Sequence, residues 1–153
     1  MGREYEINSR YCRIQLLSSI VISDSLYKKV DCSQLGSYAL RSRVRTMFAS
    51  AIVNRVPRED VNDPLVYQCY LEGLAGLILE NPGKPSQLDC PFSLATLPLD
   101  FDLIKQHGFN IEIMIGAGIA KWEEFLFRMS AANSFGCNYV TEDRRYRFLC
   151  LFA

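Results

Sequence analysis

Apolar residues recur along most of the chain at intervals of three and four, the spacing of one face of an α-helix. The clearest run follows Asn110, which can cap a helix that continues to Met129. Its positions are Ile111, Ile115, Gly118, Ile119, Trp122, Phe125, Leu126 and Met129. The pattern predicts an amphipathic helix here, with a break at Ser134 to Gly136.

Shorter runs of the same kind predict four more helices. They span about 8–22, 37–55, 63–80 and 100–106, with Asp63-Pro64 as the start of the third and Asp100 as the cap of the fourth. The last residues are ambiguous. Tyr146, Phe148, Cys150 and Phe152 alternate as in a strand, whereas Tyr146, Leu149, Cys150 and Ala153 fit a helix. We favour the helix because the pattern shows no partner strand elsewhere.

These elements predict an all-α fold, a compact bundle of about six to eight helices. The chain has 153 residues and is 49% hydrophobic, which suits a single domain, residues 1–153, with its own core. A domain of this size buries about 70% of the surface that its unfolded chain exposes.

Charge and cysteine content narrow the class of protein. Lys plus Arg and Asp plus Glu number 17 each, so nothing favours a nucleic-acid partner. The six cysteines form no Cys-x-x-Cys unit, and the polar opening 1–10 does not resemble a signal peptide. We therefore expect reduced thiols in a cytoplasmic protein, without a membrane span.

Candidate chemistry is sparse. His107 is the only histidine, with no nucleophile motif that would accompany it. Gly116-Ala117-Gly118 starts like a dinucleotide fingerprint, but Lys121 replaces the third glycine, and the small residues fit a close approach between helices better. Gly83-Lys84 lacks the other residues of a phosphate loop. We expect no enzyme activity, no cofactor and no metal.

Four stretches, in order, resemble the Bcl-2 family of apoptosis regulators. They are EYEINSRYCRIQLL (4–17), LRSRVRTMFA (40–49), DPLVYQCYLEGLAGLILENPGK (63–84) and IAKWEEFL (119–126). Pro82 stands where the family has its signature Trp, and Lys84 where it has its signature Arg. These substitutions, and the prolines at 85, 91 and 98, are more typical of a divergent viral member.

The resemblance implies an inhibitor of apoptosis that holds the death-motif helix of a pro-apoptotic host protein in a groove. Its implied lining is Val44, Met47, Phe48, Leu71 and Leu74, with Lys84 facing the ligand carboxylate. The alternative for the apolar residues is ordinary core, and for Lys84 a solvated turn. A second hypothesis is a structural, self-assembling subunit of the viral coat or adaptor type. A homodimer is compatible with either.

Overall fold

The computed structural model describes residues 30–60, 62–81 and 97–153. Three α-helices lie in this part of the chain: α1 (Ser42–Val53), α2 (Cys69–Glu80) and α3 (Ile111–Leu126). Two 3-10 helices accompany them, at Ser33–Tyr38 and Phe127–Ala131. Four strands complete the set: β1 (Val66–Tyr67), β2 (Leu97–Ile104), β3 (Ser134–Thr141) and β4 (Arg145–Phe152).

The four strands form one mixed sheet in the order β1-β3-β4-β2. β4 runs antiparallel to both neighbours, with Phe148 opposite Phe101 on β2 and Tyr139 on β3. β1 is parallel to β3, and only Val66 and Tyr67 pair with it. Most of the β3 edge is therefore not covered by a strand.

Helices cover both faces of the sheet because β4 is apolar on both sides. Successive side chains of a strand point to opposite faces. Phe148 and Phe152 lie in the larger core, with residues of α1 and α3 such as Phe48 and Ile119. On the other face, Leu149 and Leu151 pack with Leu71, Ala75 and Leu79 of α2. The result is a three-layer α/β/α arrangement.

The prediction of an all-α bundle is wrong, and β4 shows why. A strand buried on both faces is apolar without interruption, so a helix pattern can be fitted to it as easily as an alternation. The expected helix over 100–106 is also a strand, in which Leu99 and Phe101 face the core and Asp100 and Asp102 are exposed. It is the partner of β4 that the pattern did not reveal.

The helices were predicted better than the strands. The helix over 37–55 is confirmed as α1, although its first residues form the 3-10 helix. Asn110 caps α3 as expected, since its side chain accepts from the Ile113 N–H at 3.0 Å. The helix ending at Glu80 begins at Cys69, not at Asp63, because Val66 and Tyr67 pair with β3. The helix over 8–22 lies outside the described residues.

The expectation of reduced thiols is wrong for the four cysteines in the described part of the chain. Cys32 is bonded to Cys69, and Cys137 to Cys150. The second bond joins residues directly opposite each other on β3 and β4. Their spacing of 13 residues carried no recognisable signal, because the pairing depends on a hairpin that the sequence analysis did not predict.

Candidate functional site

A buried ion pair lies beside the uncovered edge of β3. The guanidinium of Arg45 donates to both carboxylate oxygens of Glu72, over 2.7 and 2.8 Å. It also donates to the carbonyl oxygens of Val30 and Leu40. Glu72 is 0% exposed and also accepts from the Leu40 N–H. The pair therefore ties α1, α2 and the segment before α1 together.

Tyr67 extends this network to the sheet. Its hydroxyl donates to Glu72 over 2.6 Å and accepts from the N–H of Cys137 over 3.3 Å. Cys137 has no partner strand on that side because β1 ends at Tyr67. The hydroxyl of Tyr67 thus accepts the hydrogen bond that one more residue of β1 would otherwise accept from the β3 edge.

Asn138 closes the network on the face that α2 covers. Its amide donates to the carbonyl oxygens of Tyr38 and Glu72, over 2.8 and 3.0 Å. No buried side-chain nitrogen or oxygen in the described residues lacks a hydrogen-bond partner. A network in which every buried group is satisfied fixes the arrangement of the elements that it joins.

The titration of these groups agrees with a structural role. The hydrogen bond to Glu72 raises the pKa of Arg45. Burial, and then the charge of Glu72, raise the pKa of Tyr67 well above its ordinary value of 10.0. Both shifts hold the groups in the protonation states that they already have at neutral pH, which is the opposite of what an acid–base catalyst needs.

The residues expected to line a peptide groove do not form one surface. Val44 and Phe48 are buried in the core between α1 and the sheet, and Met47 is half-buried beside them. Leu71 and Leu74 belong to the cluster on the opposite face. The sheet separates the two sets, and Lys84 lies outside the described residues. The alternative interpretation, ordinary core, describes Val44, Phe48 and Leu71.

Two other motifs have structural explanations. His107 is exposed in a turn in which Gly108 has a φ of 87° and the Phe109 N–H bonds back to Gln106. Gly118 lies against the ring of Phe101, so the close approach is between α3 and β2 and not between helices. No group of potential metal ligands occurs among the described residues.

The outward side of α3 is the most unusual surface in the described structure. Four of the seven exposed large hydrophobic side chains in the described residues lie on α3 or within two residues of its ends: Phe109, Ile113, Phe125 and Phe127. Along the middle of the helix the exposed residues include Ile113, Gly116, Ala117 and Ala120, which we call the α3 face. Lys121, Glu123 and Glu124 follow it in the last turns.

The sequence contains a signal for the α3 face. Ile113, Ala117 and Ala120 recur at four and three residues, and this second stripe lies opposite the buried one. A helix that is apolar on two sides is usually buried on both. The prediction of this helix rests on the other stripe alone, which has the larger side chains.

Fold and bonding together define a disulfide-braced α/β domain in which the buried polar side chains of the described residues all have hydrogen-bond partners. A family model, Ancylostoma-associated secreted protein related, matches residues 32–152. The chain belongs to that family. No curated protein and no solved structure matches it. The family membership and the α/β fold together overturn the resemblance to the Bcl-2 family, and with it the expected inhibition of apoptosis. The alternative of a structural coat or adaptor subunit gains no support.

None of the helices in the described part of the chain is long and apolar enough to cross a membrane.

Proposed function

We propose that this protein acts outside the cell as a non-catalytic domain that binds another protein through the α3 face. The extracellular location replaces the cytoplasmic one expected from the sequence. Two disulfides support it, because such bonds persist in oxidising compartments and are rare in the cytosol. The word "secreted" in the family description points the same way.

The observation that carries the binding function is the concentration of exposed apolar side chains on and around one helix. Phe127 is 70% exposed and Ile113 is 45% exposed. Monomeric proteins scatter such residues singly, whereas a cluster of them usually marks a protein–protein contact. The exposed residues of α3 from Ile113 to Ala120 carry no charge. Such a stretch loses little hydration when a partner covers it.

The proposal that the protein is not an enzyme rests on its polar interior. Arg45, Tyr67 and Glu72 are the buried titratable groups of the network, and all of them bond to one another. His107 is exposed and has no carboxylate or nucleophile bonded to it in the described structure. A reaction would need at least one positioned group that is free to exchange a proton.

Site-directed photo-crosslinking tests the binding surface. A photoreactive amino acid at Ala117, in the centre of the α3 face, should capture a protein from the extracellular fluid of the source tissue. The matched control places the same amino acid at Ala131, which is also exposed but lies beyond α3. Capture at 117 and not at 131 supports the proposal. Equal capture at both positions, or none at 117, contradicts it.

A further inference from the structure

We infer that the protein that covers the α3 face is a second copy of this chain, with the two α3 helices antiparallel about a two-fold axis. This inference rests on the proposed function, because it names the partner of the same surface. It predicts a closed pair and no larger assembly, since a two-fold contact uses the same patch on both molecules.

The shape of the α3 face is complementary to itself. An α-helix turns about 100° per residue, so Ile113, Ala117 and Ala120 lie within about 30° of one line. In an antiparallel pair centred between Gly116 and Ala117, Ile113 of one copy lies against Ala120 of the other. Ile113 then meets Ala120 at each end of the seam, and Gly116 meets Ala117 at its centre, where the two helices can approach closely. None of the described residues approaches within 4 Å of a Cβ added at Gly116, so they leave the space in front of the seam open.

Charge complementarity selects the antiparallel direction. Arg43 of α1 forms an ion pair with Glu112 at the start of α3, and its side chain is 79% exposed. Glu123, near the end of α3, lies eleven residues after Glu112, which is about three full turns and therefore the same flank of the helix. In the antiparallel pair, Glu123 of each copy lies beside Arg43 of the other.

A parallel pair lacks this match. It would keep Arg43, beside Glu112, and Glu123 of the second copy about 16 Å apart along the helices, so the two could not pair. The guanidinium has five donor groups, so Arg43 can accept a second carboxylate without releasing Glu112. The antiparallel arrangement also sets the two helix dipoles in opposition, which is favourable.

Cysteine crosslinking tests the geometry directly. With Ala117→Cys, the two introduced thiols lie near the axis, and mild oxidation should give a disulfide-linked dimer. Ile113→Cys alone should not crosslink, because seven residues of offset separate the two thiols by about 10 Å along the helix. A mixture of Ile113→Cys and Ala120→Cys chains should crosslink again. Ala131→Cys is the control for exposure.

Light scattering of the full chain gives the second readout. The unmodified protein should be a dimer, Ala117→Glu a monomer with an unchanged circular dichroism spectrum, and Ala131→Glu a dimer. A monomeric unmodified protein, a dimer that Ala117→Glu leaves intact, or equal crosslinking at 113 and 117 would each overturn the inference. If photo-crosslinking at 117 captures a different protein while this chain stays monomeric, the inference fails and the proposed function stands.

Discussion

The guanidinium of Arg45 and the carboxylate of Glu72, 27 residues apart, form a bidentate ion pair inside the protein, with side chains 7% and 0% exposed. Taking two charges out of water is costly, and the cost is offset only when both are fully hydrogen-bonded. Here they are, through Tyr67, Leu40 and Val30. The pair joins α1, on one face of the sheet, to α2, on the other. It does so at the edge of the sheet where β1 pairs with only two residues of β3.

Removing the negative charge should therefore destabilise the fold strongly. We expect Glu72→Gln to lower the free energy of unfolding by about 3–5 kcal/mol, because it leaves the Arg45 charge buried without a counter-ion. The midpoint of urea unfolding measures it. Glu142→Gln is the matched control, since Glu142 pairs with Arg145 at the exposed β3–β4 turn and should shift the midpoint little. Equal effects of the two substitutions would show that the buried pair is not a structural centre.

The raised pKa of Tyr67 predicts a loss of stability in alkali. A group whose pKa is higher in the folded state contributes fully below its ordinary pKa, here 10.0, and loses that contribution as the pH rises toward the folded-state value. We expect the unfolding free energy to fall more steeply above about pH 10 in the unmodified protein than in Tyr67→Phe. The other seven tyrosines are common to both proteins, so the difference between the two curves isolates Tyr67. Parallel curves would contradict the prediction.

Tyr67→Phe should itself cost about 1–3 kcal/mol at neutral pH, since it removes the partner of the Cys137 N–H and one donor to Glu72. Tyr70→Phe is a suitable control, because Tyr70 is only partly buried against the smaller cluster on α2. Calorimetric unfolding of both variants measures the difference. An unfolding free energy that Tyr67→Phe leaves unchanged would mean that water can replace the hydroxyl at the β3 edge.

The two disulfides should differ in their contribution to stability. Loop-closure entropy grows with the length of chain enclosed, 37 residues for Cys32–Cys69 and 13 for Cys137–Cys150. On this account the first contributes about 4 kcal/mol and the second about 3 kcal/mol. Paired serine substitutions, compared by denaturant midpoint, test the order. A larger loss from Cys137→Ser with Cys150→Ser would show that strand pairing outweighs loop length.

We predict opposite effects on stability when Gly136 and Gly116 are each replaced by alanine. An added Cβ at Gly136 would lie 2.7 Å from the Gln68 carbonyl oxygen and even closer to the Glu72 amide nitrogen, both rigid backbone atoms of the α2 start. Gly136→Ala should therefore force α2 off the sheet and destabilise the protein. At Gly116, where the described residues of the same chain leave space for a Cβ, the same change should stabilise α3 itself by about 0.5–1 kcal/mol, measured with the dimer dissociated by Ala117→Glu. Thermal unfolding of both variants is the measurement, and a tolerated Gly136→Ala would contradict the packing of α2 against β3.

Local signals in the sequence predicted the local structure and failed for contacts between distant segments. The Asn110 cap and the 3.6-residue period identified α3 because both depend on residues within a few turns. β4 was hard to recognise as a strand because both of its faces are buried: Leu149 and Leu151, which α2 covers, interrupt the alternation of apolar and polar residues. β2 was the partner strand whose recognition would have resolved the ambiguity. The Arg45–Glu72 pair had no local signal at all. An arginine in an amphipathic helix is expected on the polar face, and nothing in the residues around Arg45 indicates otherwise.

The residues of the α3 face and the cysteines can be read from the sequence. Their roles depend on which elements pack against α3, β3 and β4, and the sequence did not show that. Ala117 and Ala120 look like ordinary helix-forming residues until the opposite side of the helix is known to be buried. Cys137 and Cys150 look unrelated until β3 and β4 are paired. In both cases the decisive information is which face of an element the core already occupies.

The most direct test of the account is a disulfide map of the protein from its natural source. Free thiols are alkylated at the moment of extraction, and non-reducing proteolysis with mass spectrometry then identifies the linked peptides. We predict peptides joined through Cys32–Cys69 and Cys137–Cys150, recovered from the extracellular fraction. Alkylated Cys32, Cys69, Cys137 and Cys150 in a protein retained inside the cell would contradict the disulfide-braced, extracellular domain proposed here.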